Sequence, residues 1–130
     1  MTKDLTSSTV NRQNILNNNY ALEQIESNLS LGGTYWHDET IFTKVQVAEI
    51  LEIDERTIDR YIESNSEELS KNGYKVLRGK ELKELKENFG SDMNVVTKTT
   101  VLGVFSFRAI LNIAMLVTES ERAKAIRSKI

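Results

Sequence analysis

The sequence predicts a mainly α-helical fold with a small β component, built around a helix-turn-helix. Three observations carry that expectation. Apolar residues recur at three- and four-residue spacing along much of the 130-residue chain. There is no proline, the residue that most disrupts a helix interior. Residues 43–65, TKVQVAEILEIDERTIDRYIESN, read as two short amphipathic helices joined by a tight turn.

From the N-terminus, residues 1 to about 11 are polar and are expected to be disordered. Residues 11–29 read as one helix. Ile15, Leu22 and Leu29 recur every seven residues, with Ile25 between the last two. Two readings of that stripe stand. It packs on its own domain, or it forms a dimer seam in which Asn18 sets register. The run Asn17-Asn18-Asn19 lowers helix propensity within it. Gly32-Gly33 breaks the helix, and Tyr35-Trp36 and Ile41-Phe42 suit a short strand leading to Thr43.

In the central motif Thr43 is a good N-cap for the first helix, and Asp54 for a second helix starting near Glu55. Val45, Ala48 and Leu51 form the apolar face of the first helix. Ile53 fills the turn. Ile58, Tyr61 and Ile62 anchor the second helix. Glu52 stands where such motifs often carry glycine. Glu55, Arg56, Thr57, Asp59 and Arg60 then point outward or to the edge. Arg56 and Arg60 lie one turn apart and share a face. Arginine can pair with guanine in a bidentate way, threonine can meet a phosphate or a thymine methyl, and carboxylates can accept from cytosine. The plain alternative is that Arg56 and Arg60 pair with Glu52, Glu63 or Asp59 as surface charges do.

After the motif, Asn72-Gly73 is a strong turn signal, and Tyr74 and Val76 suit a small exposed strand. Lys71, Lys75, Arg78 and Lys80 surround that turn. A basic wing beside a recognition helix meets the DNA backbone or minor groove. The alternative is a solvated face that balances the acidic helices. A further helix runs from Gly79 or Lys80 to Asn88, with Leu82, Leu85 and Phe89 at helical spacing and Gly90 ending it. Residues 93–105 suggest a second hairpin. Ser106 caps an apolar helix, and Thr118-Glu119-Ser120-Glu121 fits a capping box for a last helix whose face is Ala123, Ile126 and Ile130. The pattern is still running at Ile130, which suggests a fragment of a longer protein. The segments thus divide into a tail and helix (1–33), a winged helix-turn-helix domain (34–90), and a hairpin with a helical pair (91–130).

Charge sharpens the expectation. The net charge is −2. Residues 38–70 hold ten acids and three bases, residues 71–86 two acids and six bases, and residues 91–130 three acids and six bases. The recognition unit is acidic and the cations flank it, so its two helices alone are poor phosphate binders. There is no cysteine and one histidine, His37. That excludes disulfides and cysteine-based zinc sites. His37 beside Asp38 and Glu39 lacks a convincing metal-ligand set and reads as an ordinary polar residue before a strand or helix. No Ser-His-Asp or Cys-His arrangement, Walker loop or dinucleotide loop is present. The chain is therefore not expected to be an enzyme or to carry a cofactor. With no apolar run near 20 residues and no signal sequence, a cytoplasmic protein without a membrane partner is expected.

Residues 40–65 followed by NGYKVLRGKEL are similar to the DNA-binding domains of phage and prophage regulators, and to MerR- and excisionase-like winged helices. The segment VLGVFSFRAILNIAMLVTESERAKAIRSKI resembles a module of phage antirepressor-type and RhuM-like DNA-binding proteins. Leu102, Gly103, Phe105, Arg108, Ala109, Ile110, Leu111, Met115, Leu116, Ser120, Glu121, Ala123, Lys124 and Arg127 carry that pattern. The resemblance covers roughly residues 35–130. It implies a DNA-binding regulator of mobile-element origin. The acidic recognition unit and Glu52 depart from the common pattern.

The leading expectation is sequence-specific binding of double-stranded DNA in transcriptional or phage regulation. Arg56, Thr57 and Arg60 would read bases, and Lys75, Arg78 and Lys80 would hold phosphates. A homodimer, formed through the helix from Ile15 to Leu29 or through the C-terminal helices, would double the reading surface. Two alternatives remain: an antirepressor-type module that engages a repressor protein, and the targeting part of a larger toxin or effector.

Overall fold

A computed structural model describes residues 5–29, 31–89 and 100–129. In chain order the elements are α1 (Thr9–Leu16), α2 (Asn19–Leu29), β1 (Thr34–Trp36), β2 (Glu39–Thr43), α3 (Lys44–Leu51) and α4 (Glu55–Ser64). They continue with α5 (Ser66–Lys71), β3 (Lys75–Arg78), α6 (Gly79–Phe89), β4 (Val101–Ser106), α7 (Phe107–Leu116) and α8 (Glu121–Ser128). The fold is mainly helical with one small antiparallel sheet, as expected.

The N-terminal region differs from the expectation. Leu5 is only 6% exposed and belongs to the core, and Ser8 caps α1 by accepting from the Asn11 N–H. The anticipated single helix is two. Asn17 ends α1, and the Asn18 side chain accepts from the Ala21 N–H at 3.1 Å, opening the turn that becomes α2. Asparagine offers the backbone this local alternative to continuing a helix. Asn18 is therefore the cap of α2. Ile15 is buried on α1, while Leu22, Ile25 and Leu29 of α2 are partly buried against the same core.

β1 and β2 form a hairpin with Trp36 opposite Glu39. Its two-residue loop is His37-Asp38, both at positive φ (50° and 64°), the backbone that twisted hairpins favour. The sheet order is β1-β2-β4-β3, every neighbour antiparallel. The hairpin anticipated over residues 93–105 falls largely outside the described residues. The described part, β4, lies between β2 and β3.

Alternation along β2 and β4 sends side chains to two cores. Phe42 and Phe105 join the larger one, with α1, α3, α4, α5, α7 and α8. Ile41 and Val104 join a smaller one with Trp36, Leu77, Leu82 and Leu85 beneath α6. Strand pairing crosses the boundary near residue 90, and the larger core crosses both that boundary and the one near residue 33. α7 is the central helix, with every residue except Arg108 buried. Ser120, rather than Thr118, caps α8; its hydroxyl also donates to the Leu51 carbonyl and ties α8 to the end of α3. Ala123 and Ile126 are buried as expected, and Ile130 lies outside the described residues. So does Gly90, assigned above as the end of α6. Among the described residues, no helix is long and apolar enough to cross a membrane.

A buried polar network joins α1, α5 and α7. Arg12, 4% exposed, donates to both Glu68 oxygens at 2.7 and 2.8 Å, and to the carbonyls of Leu5 and Thr6. Asn112 donates to Glu68 at 2.6 Å, and Asn72 donates to Asn112 at 2.8 Å. Arg108 donates to Asn72 and Asn17.

Two short helices, α3 and α4, form where their caps foretell. Thr43 and Gln46 make a reciprocal capping box at the start of α3. Val47, Ala48 and Leu51 are buried, and Val45 is 39% exposed, so the inner face is displaced from the one expected. Glu52 ends α3 at φ 55°, ψ 45°, the left-handed region that suits glycine. Glu52→Gly is therefore expected to raise the unfolding free energy by about 1 kcal/mol, the left-handed penalty less the extra entropy glycine gives the unfolded chain. Urea midpoints compare the two proteins, and an unchanged or lower midpoint in the variant contradicts this.

Candidate nucleic-acid interface

α4 begins at Asp54, whose carboxylate accepts from the Thr57 N–H and the Thr57 hydroxyl, each at 2.8 Å. Those bonds, helped by the charges of Arg56 and Arg60, hold the Asp54 carboxyl below its usual range. Thr57 is therefore partly committed to the helix cap. Its hydroxyl proton is already used, and its oxygen and methyl remain for a ligand. Ile58 is fully buried and fixes α4 on the core; Tyr61 and Ile62 are partly buried beside it. Glu55, Arg56, Asp59 and Arg60 are exposed, as the helical spacing requires.

These charges do not pair as the surface alternative anticipated. Asp59 is 3.0 Å from Lys44 at the first turn of α3, and Glu55 is 4.0 Å from the same ammonium. Arg60 pairs with Glu119 in the turn between α7 and α8, and lies over the Tyr61 ring at 5.3 Å from its centroid. Burial pushes the Tyr61 phenol up, but the hydrogen bonds from Thr118 and the charge of Arg60 outweigh it, leaving the group below its usual value. Arg56 is exposed and acts on Asp54. Sequence reasoning passed over Lys44 and Glu119. Lys44 had one signal, its place directly after the Thr43 cap. Glu119 had none, because its contact with Arg60 spans 59 positions of sequence.

The basic segment divides in two. Lys71 ends α5 and Lys75 opens β3, one on each side of the Asn72-Gly73 turn, and both are exposed. Gly73 has φ 110°, and a Cβ there would meet the Ser106 hydroxyl at 2.0 Å, so glycine is required. Arg78 and Lys80, also exposed, flank the junction of β3 and α6, about 10 Å further along the strand from Lys75. The four cations do not surround one turn.

Register locates both groups relative to the motif. Thr43 and Lys75 stand opposite the same residue, Val104, from either side of β4. β3 and β4 then continue past the end of β2 to the pair Arg78 and Val101. The strands thus project beyond the first turn of α3. Tyr74, next to Lys75, has its phenol pushed up by burial and feels the charges of Lys44 and Asp59. The start of β3 is therefore electrostatically coupled to the Lys44–Asp59 pair.

His37 occupies the hairpin loop, stacks on Trp36 and approaches Glu84 at 3.1 Å. Among the described residues there is no group of three or more histidine and carboxylate side chains arranged for a metal ion. In the C-terminal segment many residues of the recurring pattern serve packing and capping. Arg108 joins the buried network, Ser120 caps α8, and Arg127 donates to the Ala114 and Val117 carbonyls at the end of α7. Comparison with protein-family models, with curated proteins and with solved structures finds no match to this chain.

Proposed function

We propose that this chain binds double-stranded DNA in a sequence-specific manner, in transcriptional or phage regulation, through a winged helix-turn-helix. One observation supports the reading: in the order β2–α3–α4–α5–β3–α6–β4, β4 pairs between β2 and β3, so the exposed Lys75 opens an edge strand level with Thr43 at the start of α3. α4 is the recognition helix. Arg56 and Arg60 read bases, Glu55 and Asp59 stand at the edge of the reading surface, and Thr57 holds the helix start. Lys71, Lys75, Arg78 and Lys80 contact phosphates, with Lys44 at the first turn of α3 beside them. The fragment-level resemblance to phage antirepressor-type and RhuM-like regulators agrees with this assignment.

The acidic composition of residues 38–70 makes a second subunit part of the proposal. A dimer, through the N-terminal or the C-terminal helices, brings two basic strands to one duplex. Arg60→Ala is expected to weaken binding to a selected duplex by about 1–3 kcal/mol and to relax preference at the base it contacts. Equal binding of the variant and the parent to that duplex sinks the role of Arg60.

A second reading has its own support. A groove between α2 and the β1–β2 hairpin is lined by Glu23, Glu26, Asp38 and Glu39, with Arg108 at one side. That acidic surface suits capture of a basic repressor protein better than contact with DNA. Loss of that capture in a variant neutralised at Glu23 and Glu26, with DNA binding absent in both proteins, would favour the second reading.

A further inference from the structure

The recognition helix is fastened to the turn between α7 and α8 by a small polar cluster. Glu119 accepts from the Tyr61 hydroxyl at 2.5 Å and from the Thr118 hydroxyl at 2.9 Å. The Tyr61 oxygen in turn accepts from the Thr118 N–H at 3.2 Å and stands 3.4 Å from its hydroxyl. The second oxygen of Glu119 pairs with Arg60. The Arg60 guanidinium also rests over the Tyr61 ring.

We propose that Glu119 is a specificity-determining positioning residue, which orients Arg60 for base recognition. The inference rests on the DNA-binding reading above. An exposed ion pair usually contributes little, because both long side chains must be ordered to make it. Here one partner is already ordered, since two hydroxyl groups hold the Glu119 carboxylate in place. The aromatic ring beneath the guanidinium restricts Arg60 further. Arginine has five N–H donors in a planar fork, so a carboxylate on one side leaves donors for a guanine edge. The same carboxylate offsets the positive charge of Arg60. That weakens its attraction to any phosphate and leaves its geometry for a particular base. Glu119 thus trades nonspecific affinity for discrimination.

The test uses the full chain, a duplex selected from a random pool, and a scrambled duplex of the same length. Glu119→Gln is expected to bind the scrambled duplex more tightly. Its ratio of selected to scrambled affinity is expected to fall about tenfold. Tyr61→Phe removes the hydroxyl that anchors Glu119 and keeps the ring under Arg60, so it is expected to lower the ratio in the same direction. In an Arg60→Ala background, Glu119→Gln is expected to leave the ratio unchanged, an outcome that a merely structural role does not give. A parent protein that discriminates, with both single variants keeping its ratio, overturns this inference and leaves the DNA-binding reading standing. A parent that prefers no duplex overturns both.

Discussion

Arg12→Ala is expected to lower the unfolding free energy by about 3–5 kcal/mol, the usual consequence of removing one partner from a buried ion pair. Glu68, whose side chain is 13% exposed, would be left with its charge answered only by the Asn112 amide. The carbonyls of Leu5 and Thr6 would lose their arginine donor as well. The Arg12 contact spans 56 positions and holds α1 to α5, so its loss weakens the attachment of the N-terminal helices, leaving Ile15 and Leu16 to hold them. Denaturant unfolding, followed by Trp36 fluorescence, measures the effect; a loss below about 1 kcal/mol contradicts it.

The same pair sets an acid limit. Burial pushes the Glu68 carboxyl up, but the bonds from Arg12 and Asn112 and the Arg12 charge outweigh it, so its folded value lies below the ordinary 4.5. A depressed carboxyl contributes stability that is full above its unfolded value and is lost as pH falls through its folded value. The parent is therefore expected to weaken below about pH 4.5. In Arg12→Ala only the Asn112 bond still offsets the burial, so protonating Glu68 costs the variant less than it costs the parent. The gap between the two proteins is expected to narrow as the pH falls.

Neutralising the cations of β3 and the start of α6 together, as Lys75→Gln, Arg78→Gln and Lys80→Gln, is expected to make the salt dependence of DNA binding shallower by about three units on a log–log plot. At 0.15 M salt that corresponds to binding weaker by on the order of a hundredfold. All three side chains are exposed, so the fold should persist, with an unchanged thermal midpoint. The weakening should be nearly equal for selected and scrambled duplexes, because phosphate contacts carry no sequence information. A triple variant with the parent's salt slope would remove this basic segment from the interface.

Local signals were legible in the sequence, and distant ones were not. Thr43, Asp54 and Ser106 each cap a helix, because a short polar side chain before an apolar run has one good use there. Asn17 and Asn18 carried the signal for a break, but the seven-residue stripe across them argued for continuity. Local hydrogen bonding prevailed. Val45 and Val47 are equally apolar, and only the packing of α3 decided between them. The buried network was unreadable, since Arg12, Glu68, Asn72 and Asn112 look like surface residues when taken singly. The turn signal at Asn72-Gly73 was real, yet β3 pairs with a strand some 30 residues later rather than across that turn. For that reason the four cations separate into two groups. Of the expected site residues, Glu55, Arg56, Asp59 and Arg60 are exposed on α4, while Thr57 is drawn into the cap.

Selection of duplexes from a random pool, followed by affinities across a salt series, tests sequence-specific DNA binding most directly. The expected result is one recurring site, bound at least about 10³-fold more tightly than scrambled DNA, with log affinity falling linearly with log salt. Equal affinity for selected and scrambled duplexes, or no binding at 50 mM salt, a condition that favours phosphate contacts, would contradict it.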